Sequence, residues 1–164
     1  VSNDASIYGT SYRVPAFGAL EIFTSADHST SARMETDKAM IRILLAEDDQ
    51  VMREYLTRAL ERAGYAVAAV DRGTAAIPLL ETESFDLLLT DIVMPEMDGI
   101  ELARRAAELV PGLRVMFITG FAAVTLKAGR EMPNARVLSK PFHLRDLVAE
   151  VDRVFETGSA TGLN

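Results

Sequence analysis

The stretch FDLLLTDIVMPEMDG, residues 85–99, decides how the rest of the chain is read. Phe85, Leu87, Leu88 and Leu89 form a short apolar run of the kind that fills a buried strand. One carboxylate, Asp91, stands directly after it. A Met-Pro turn follows, and then Asp98-Gly99, which reads as the cap and first residue of a helix. A strand that ends in a lone acid and turns at once into a helix places that acid at the carboxyl edge of a sheet. Open α/β folds keep their chemistry at that edge.

Outward from this stretch the chain alternates β with α from Met40 onward. Ile41, Ile43, Leu44 and Leu45 read as a strand buried on both faces. Val51, Met52, Tyr55, Leu56, Ala59, Leu60 and Ala63 recur at helical spacing, with Gly64 as the stop. Residues 66–70 read as a second strand, and Gly73-Thr74 opens a helix through Leu80 with Pro78 near its first turn. Residues 85–90 are the third strand, and a helix runs from Gly99 to about Val110, broken by Pro111-Gly112. Residues 114–118 are a fourth strand and 136–138 a fifth. Between them, Gly129 and Pro133 allow residues 121–133 about two turns of helix, short and broken. The last helix runs over 143–155, with Leu144, Leu147, Val148, Val151, Val154 and Phe155 on one face. Five β/α units without a long antiparallel excursion imply an α/β fold, a doubly wound five-stranded parallel sheet with helices on both faces.

Residues 1–39 are rich in Ser, Thr, Ala and Gly, and their apolar residues keep no period beyond a short extended piece at 20–23. They read as a disordered or non-native leader, dispensable for folding. Residues 40–156 form the one domain, and 157–164 a short tail. The net charge of −7 disfavours direct nucleic-acid binding. The absence of cysteine excludes a disulfide framework, a thiolate metal site and a Cys nucleophile. No apolar stretch approaches the roughly 18–20 residues of a membrane span. No basic n-region precedes an apolar segment, so membrane insertion and secretion are not expected and a cytoplasmic protein is.

Four strand ends carry polar groups that a parallel sheet brings to one edge: Glu47-Asp48-Asp49, Asp91, Thr119-Gly120 and Ser139-Lys140-Pro141-Phe142. Clustered carboxylates repel unless a cation sits among them, and hard oxygen ligands favour Mg2+. Lys140 adds a positive donor for an anion. The chemistry that fits is phosphoryl transfer onto Asp91 as nucleophile. Taken singly the residues are bland. Asp49 and Asp98 read as helix caps, Thr119 as a strand-end hydroxyl, Lys140 as a solvated lysine and His143 as structural. Neither His28 nor His143 has the setting of a phosphodonor.

The acidic pair, D-x-x-M-P-x-M-D-G, the Thr and K-P-F, in this order over residues 40–155, resemble the receiver domain of bacterial two-component response regulators. The resemblance implies the flavodoxin-like strand order 2-1-3-4-5. It implies Asp91 as phosphoacceptor, with Thr119 and Lys140 contacting the phosphoryl oxygens. Mg2+ would be held by Asp48, Asp91 and the Val93 carbonyl, with Glu47 in the acidic pocket reaching it through water. It also implies a cis Lys140–Pro141 bond, and a histidine kinase or histidine phosphotransferase as donor. The protein would then be a switch and not an enzyme, catalysing only its own phosphorylation and slow autodephosphorylation. The strings LLAEDD, DIVMPEMDGIELA, VMFITGFAAV and VLSKPFHLRDLV are similar to the CpdR-type single-domain regulators. Those help deliver substrates to the ClpXP protease when unphosphorylated, which implies an adaptor role in cell-cycle proteolysis. A relay intermediate or phosphate sink is the alternative. Haloacid-dehalogenase-type phosphatases also use a strand-end aspartate but need a second one two residues on, where this chain has Val93. One departure from the receiver pattern is Val137, three residues before the lysine, where many receivers place an aromatic switch residue.

Overall fold

The computed structural model describes Lys38 and residues 40–156. The elements are β1 (Arg42–Ala46), α1 (Gln50–Arg62), β2 (Ala66–Val70), α2 (Gly73–Thr82) and β3 (Leu87–Asp91), then α3 (Gly99–Leu109), β4 (Arg114–Thr119), α4 (Ala122–Glu131), β5 (Arg136–Ser139) and α5 (Leu144–Glu156). All strand pairs are parallel, in the expected order β2-β1-β3-β4-β5. The connection from β1 leads outward to β2, whereas the connection from β3 leads the other way to β4. The gap beyond the carboxyl ends of β1 and β3 is therefore the switch point where such sheets bind ligands.

Alternation along the central strands divides the interior into two cores. On one face Leu44, Ala46, Leu88 and Phe117 pack against α2, α3 and α4 through Ala76, Leu80, Leu102, Ala106 and Ala128. On the other, Ile43, Leu45, Leu87, Leu89, Met116 and Ile118 pack against α1 and α5 through Leu56, Leu60, Leu147 and Val151. Truncating a central leucine such as Leu88 to Ala would cost about 2–5 kcal/mol, because nothing around it is free to collapse. β2 and β5 are the sheet edges and are only partly buried.

Apart from shifts of one or two residues at other element ends, three departures from the sequence reading matter. β3 starts at Leu87, not at residue 85, and extends through Asp91; Phe85 is buried below the strand with the Arg42 guanidinium over its ring. Pro78 is the sixth residue of α2 and lies past the first turn, so its missing N–H removes an internal helical bond. α4 is an unbroken helix of ten residues. Gly129 faces open space, the buried Ala128 anchors the helix to the sheet, and Pro133 follows the C-cap and ends the helix without interrupting it.

Most of the stretch assigned to the leader, including residues 20–23 and His28, lies outside the described residues, as does the tail 157–164. Lys38 is the exception. Its ammonium pairs with Asp152 of α5 at 2.9 Å and sits 5.4 Å from the centre of the Tyr65 ring. Tyr65 is itself buried and donates its hydroxyl to Asp152.

Candidate functional site

Each side chain at the carboxyl edge is delivered by the end of a strand, buried in β1, β3 and β4 and partly buried in β5. Asp91 is the last residue of β3 and only 7 % exposed. Its Oδ1 accepts the Val93 N–H at 3.2 Å, and its Oδ2 accepts from the Lys140 ammonium at 3.0 Å. The turn that leaves Asp91 is tight. Gly99 N–H donates to the Ile92 carbonyl at 2.8 Å, and a Cβ at position 99 would lie 2.1 Å from the Asp91 carbonyl oxygen. Only glycine fits there, because the backbone of α3 begins directly against the backbone of the nucleophile candidate. Glu96, in the same turn, has φ 67°, a left-handed conformation that costs a non-glycine residue about 1 kcal/mol or more. Asp98 then caps α3 by accepting the Glu101 N–H at 2.8 Å.

From β1, the chain continues into Glu47, whose N–H is bonded to the Val70 carbonyl of β2 and whose side chain is buried. Its carboxylate accepts the Asp49 N–H at 3.2 Å and the Lys140 ammonium at 3.4 Å. Asp49 caps α1 by accepting the Met52 N–H at 2.7 Å, as its sequence position suggested. Asp48 projects to solvent, and carboxylate oxygens of Glu47, Asp48 and Asp91 lie within 4.8 Å of one another.

The fourth and fifth strands complete the edge. Thr119, at the end of β4, is buried one residue beyond the register partner of Asp91, and its hydroxyl accepts the Phe121 N–H. The Lys140 N–H donates to the Thr119 carbonyl at 2.8 Å, which ties the lysine to the threonine through the backbone. The Lys140–Pro141 peptide is cis, as expected, and Phe142 packs partly buried on the α1–α5 core. His143 contributes backbone bonds at the start of α5, and Val137 is half-buried against the other core.

The electrostatics are unbalanced. Burial, and then the Asp91 charge, push the Glu47 carboxyl from 4.5 up to about 7 against the lowering effects of the Asp49 N–H and Lys140. Burial alone would lower the Lys140 ammonium, but its hydrogen bond to Asp91 and the charges of Asp91 and Glu47 outweigh that and hold it above the usual lysine value. The Glu47 and Asp91 carboxylates thus share the Lys140 ammonium, and Asp48, close to both, has no side-chain partner among the described residues. Hard oxygen donors this close, with one of them exposed, fit a small divalent cation such as Mg2+, which takes one or two carboxylates and keeps waters.

A residue that sequence reading passed over belongs to the same place. The Arg53 guanidinium of α1 donates to the Glu47 carbonyl at 2.8 Å and reaches the Asp48 carbonyl at 3.4 Å. A cation four residues after the Asp49 cap was the available signal.

Known proteins share this architecture. Over 116 residues the chain is 63% identical to the response regulator receiver protein CpdR of Brucella abortus (strain 2308), covering 70% of this chain and 97% of that one. It is 39% identical over 114 residues to the response regulator protein FleR of Pseudomonas aeruginosa, covering 68% of this chain but only 24% of that longer protein. The crystal structure of a response regulator receiver protein from Sinorhizobium medicae WSM419 superimposes with a TM-score of 0.65 at 32% identity, over 71% of this chain and 94% of that one. Residues 43–152 match the response regulator receiver domain family, and the chain belongs to that family.

Proposed function

We propose that this protein is a response regulator that takes a phosphoryl group on Asp91 in a Mg2+-dependent reaction and acts without an attached effector, through a partner protein. The observation that carries the reading is the Asp91 carboxylate at the end of β3. It is paired with Lys140 and grouped with Glu47 and Asp48 at the switch point of the sheet. A carboxylate oxygen of Asp91 attacks the phosphorus of a phosphohistidine or a small acyl phosphate. The new O–P bond forms as the bond to the donor breaks, and the leaving imidazole or carboxylate departs with the electron pair. Lys140 shifts from the carboxylates toward the added phosphoryl charge, and the buried Thr119 hydroxyl donates to a phosphoryl oxygen. Asp48, Asp91 and the Val93 carbonyl would hold Mg2+, with Glu47 reaching it through water. The bound ion would neutralise charge between phosphoryl oxygens and carboxylates.

Incubation with acetyl phosphate and Mg2+ should add one phosphoryl mass to the protein. Labelling should vanish with EDTA or in Asp91→Asn, and label that persists in either would overturn the assignment.

The 63% identity to CpdR, covering 97% of that protein, supports a regulator in which the receiver is itself the functional unit. The resemblance to that group favours an adaptor for ClpXP-dependent proteolysis in cell-cycle control, with a histidine kinase or phosphotransferase as donor. A pull-down comparing wild type with Asp91→Ala decides between roles. Recovery of ClpX by the unphosphorylatable form supports the adaptor, and recovery of kinase components alone makes the protein a relay or phosphate sink.

A further inference from the structure

Asp48 is the one acid of the cluster that nothing holds by its side chain. Among the described residues its carboxylate takes no hydrogen bond and no ion pair, and it is exposed. Glu47, by contrast, is held by Asp49 and Lys140, and Asp91 by Val93 and Lys140. Where Asp48 points is therefore set by its backbone. That backbone has left the sheet, since β1 ends at Ala46. The carbonyls of Glu47 and Asp48 consequently have no ladder partner, and the group that takes them both is the Arg53 guanidinium. Arg53 is in turn fixed at the start of α1: its N–H donates to the Asp49 carbonyl at 2.8 Å, and its own carbonyl accepts the Thr57 hydroxyl at 2.7 Å. In the loop carrying the three acids from residue 47 to 49, the Glu47 and Asp48 carbonyls are thus both held by one side chain.

We propose that Arg53 is a positioning residue for the acidic pocket, holding the Glu47–Asp48 backbone so that the Asp48 carboxylate is presented to the divalent cation. This rests on the reading of Glu47, Asp48 and Asp91 as the cation site. Charge alone argues for the opposite effect. A guanidinium near a cation site repels the ion, so Coulomb's law by itself makes removal of Arg53 tighten binding. Positioning makes removal weaken it. The two effects differ in sign, which makes the proposal decidable. Both bonds come from one nitrogen, Nη1, of the rigid guanidinium plane; lysine keeps the charge but carries its ammonium on a flexible stem with no such plane to orient it.

Mn2+, an oxygen-ligated ion whose free form is counted directly by electron paramagnetic resonance, is the probe. Arg53→Met should weaken Mn2+ binding by about 10-fold, the scale typical of groups that orient metal ligands, and Arg53→Lys should weaken it as well. The melting temperature of the metal-free variants, followed by circular dichroism, should stay within a few degrees of wild type. In an Asp48→Asn background the Arg53→Met change should have little further effect, because the residue it positions is no longer a carboxylate. Binding by Arg53→Met that equals or exceeds wild type overturns the proposal while leaving the cation site intact. Failure of the wild type itself to bind Mn2+ overturns the cation site and the proposal with it.

Discussion

The two edges of the sheet handle charge in opposite ways. At the amino edge cations and acids are matched. Arg42 pairs with Glu83 and lies over Phe85, Arg136 pairs with Glu150 at 3.1 Å, Lys38 pairs with Asp152, and Arg114 stacks on Phe155. At the carboxyl edge the buried Glu47 and Asp91 share the Lys140 ammonium, and the exposed Asp48 carboxylate beside them has no side-chain partner among the described residues. Same-sign charges drawn together in a poorly solvated place raise the free energy of the fold, and a balanced surface pair changes it little. A sheet edge left in deficit of positive charge is one that a divalent cation and a phosphoryl group can complete.

The sharpest break between the edges is chemical. Asp91→Asn should abolish labelling by acetyl phosphate altogether, since the amide oxygen is no nucleophile toward phosphorus. Arg136→Ala, at the other edge, should leave the rate of labelling within about twofold of wild type, because the substitution touches no group that meets the phosphoryl. Rate measurements by intact mass on both variants test this, and a slow Arg136→Ala would show that the edges are coupled.

A second prediction concerns how long the label lasts. Val93 and Phe121 stand on the rim of the carboxyl edge, 48% and 60% exposed, and neither side chain can accept a proton or align a water. The phosphorylated wild type should lose its label slowly, and Val93→Asn together with Phe121→Glu should speed the loss several-fold. Loss from the wild type within seconds, or no change in the double variant, would refute this account of the rim.

These features were not equally legible. β1 and β3 could be read because burial on both faces forces a nearly unbroken apolar run, and the acids stand out directly after it. Asp49 and Asp98 could be read as caps because a side-chain oxygen before a helix has one common use. The sequence predicts too short an α4 because Gly129 and Pro133 look like breakers in one dimension. Only the fold shows that the glycine faces solvent and the proline lies past the end. Arg53 and the Lys140–Glu47 bridge were missed for a related reason. A guanidinium bonding main-chain carbonyls leaves no residue-type pattern, and the 3.4 Å bridge joins positions far apart in the chain.

The third prediction turns the charge deficit into a pH dependence. Glu47 has a folded-state pKa of about 7 against an ordinary 4.5, so between those values the folded protein holds more protons than the unfolded chain. Stability therefore falls as pH rises through this window and stays reduced above it. In EDTA, the melting temperature of wild type should drop by several degrees more than that of Glu47→Gln between pH 5 and pH 8, and Mg2+ at pH 8 should recover part of the difference. Identical profiles for the two proteins would mean that the deficit is not stored at Glu47.

The smallest effect is expected at the balanced edge. Arg136 and Glu150 are 3.1 Å apart with side chains 38% and 25% exposed, so water and salt screen them. A double-mutant cycle of Arg136→Ala and Glu150→Ala, read by urea denaturation, should give a coupling of about 0.2–1 kcal/mol. Glu150 also pairs with Arg153, so Glu150→Ala alone will overstate the pair and only the cycle isolates it. At 1 M salt the Debye length shrinks to about 3 Å, and most of this coupling should disappear. The same salt should disturb the interactions within the buried Glu47–Lys140–Asp91 group far less, since little solvent lies between those atoms. A coupling at the amino edge that survives 1 M salt, or exceeds about 2 kcal/mol, would mean that its pairs are held as tightly as those around Asp91. Charge balance would then no longer be what separates the two ends of the sheet.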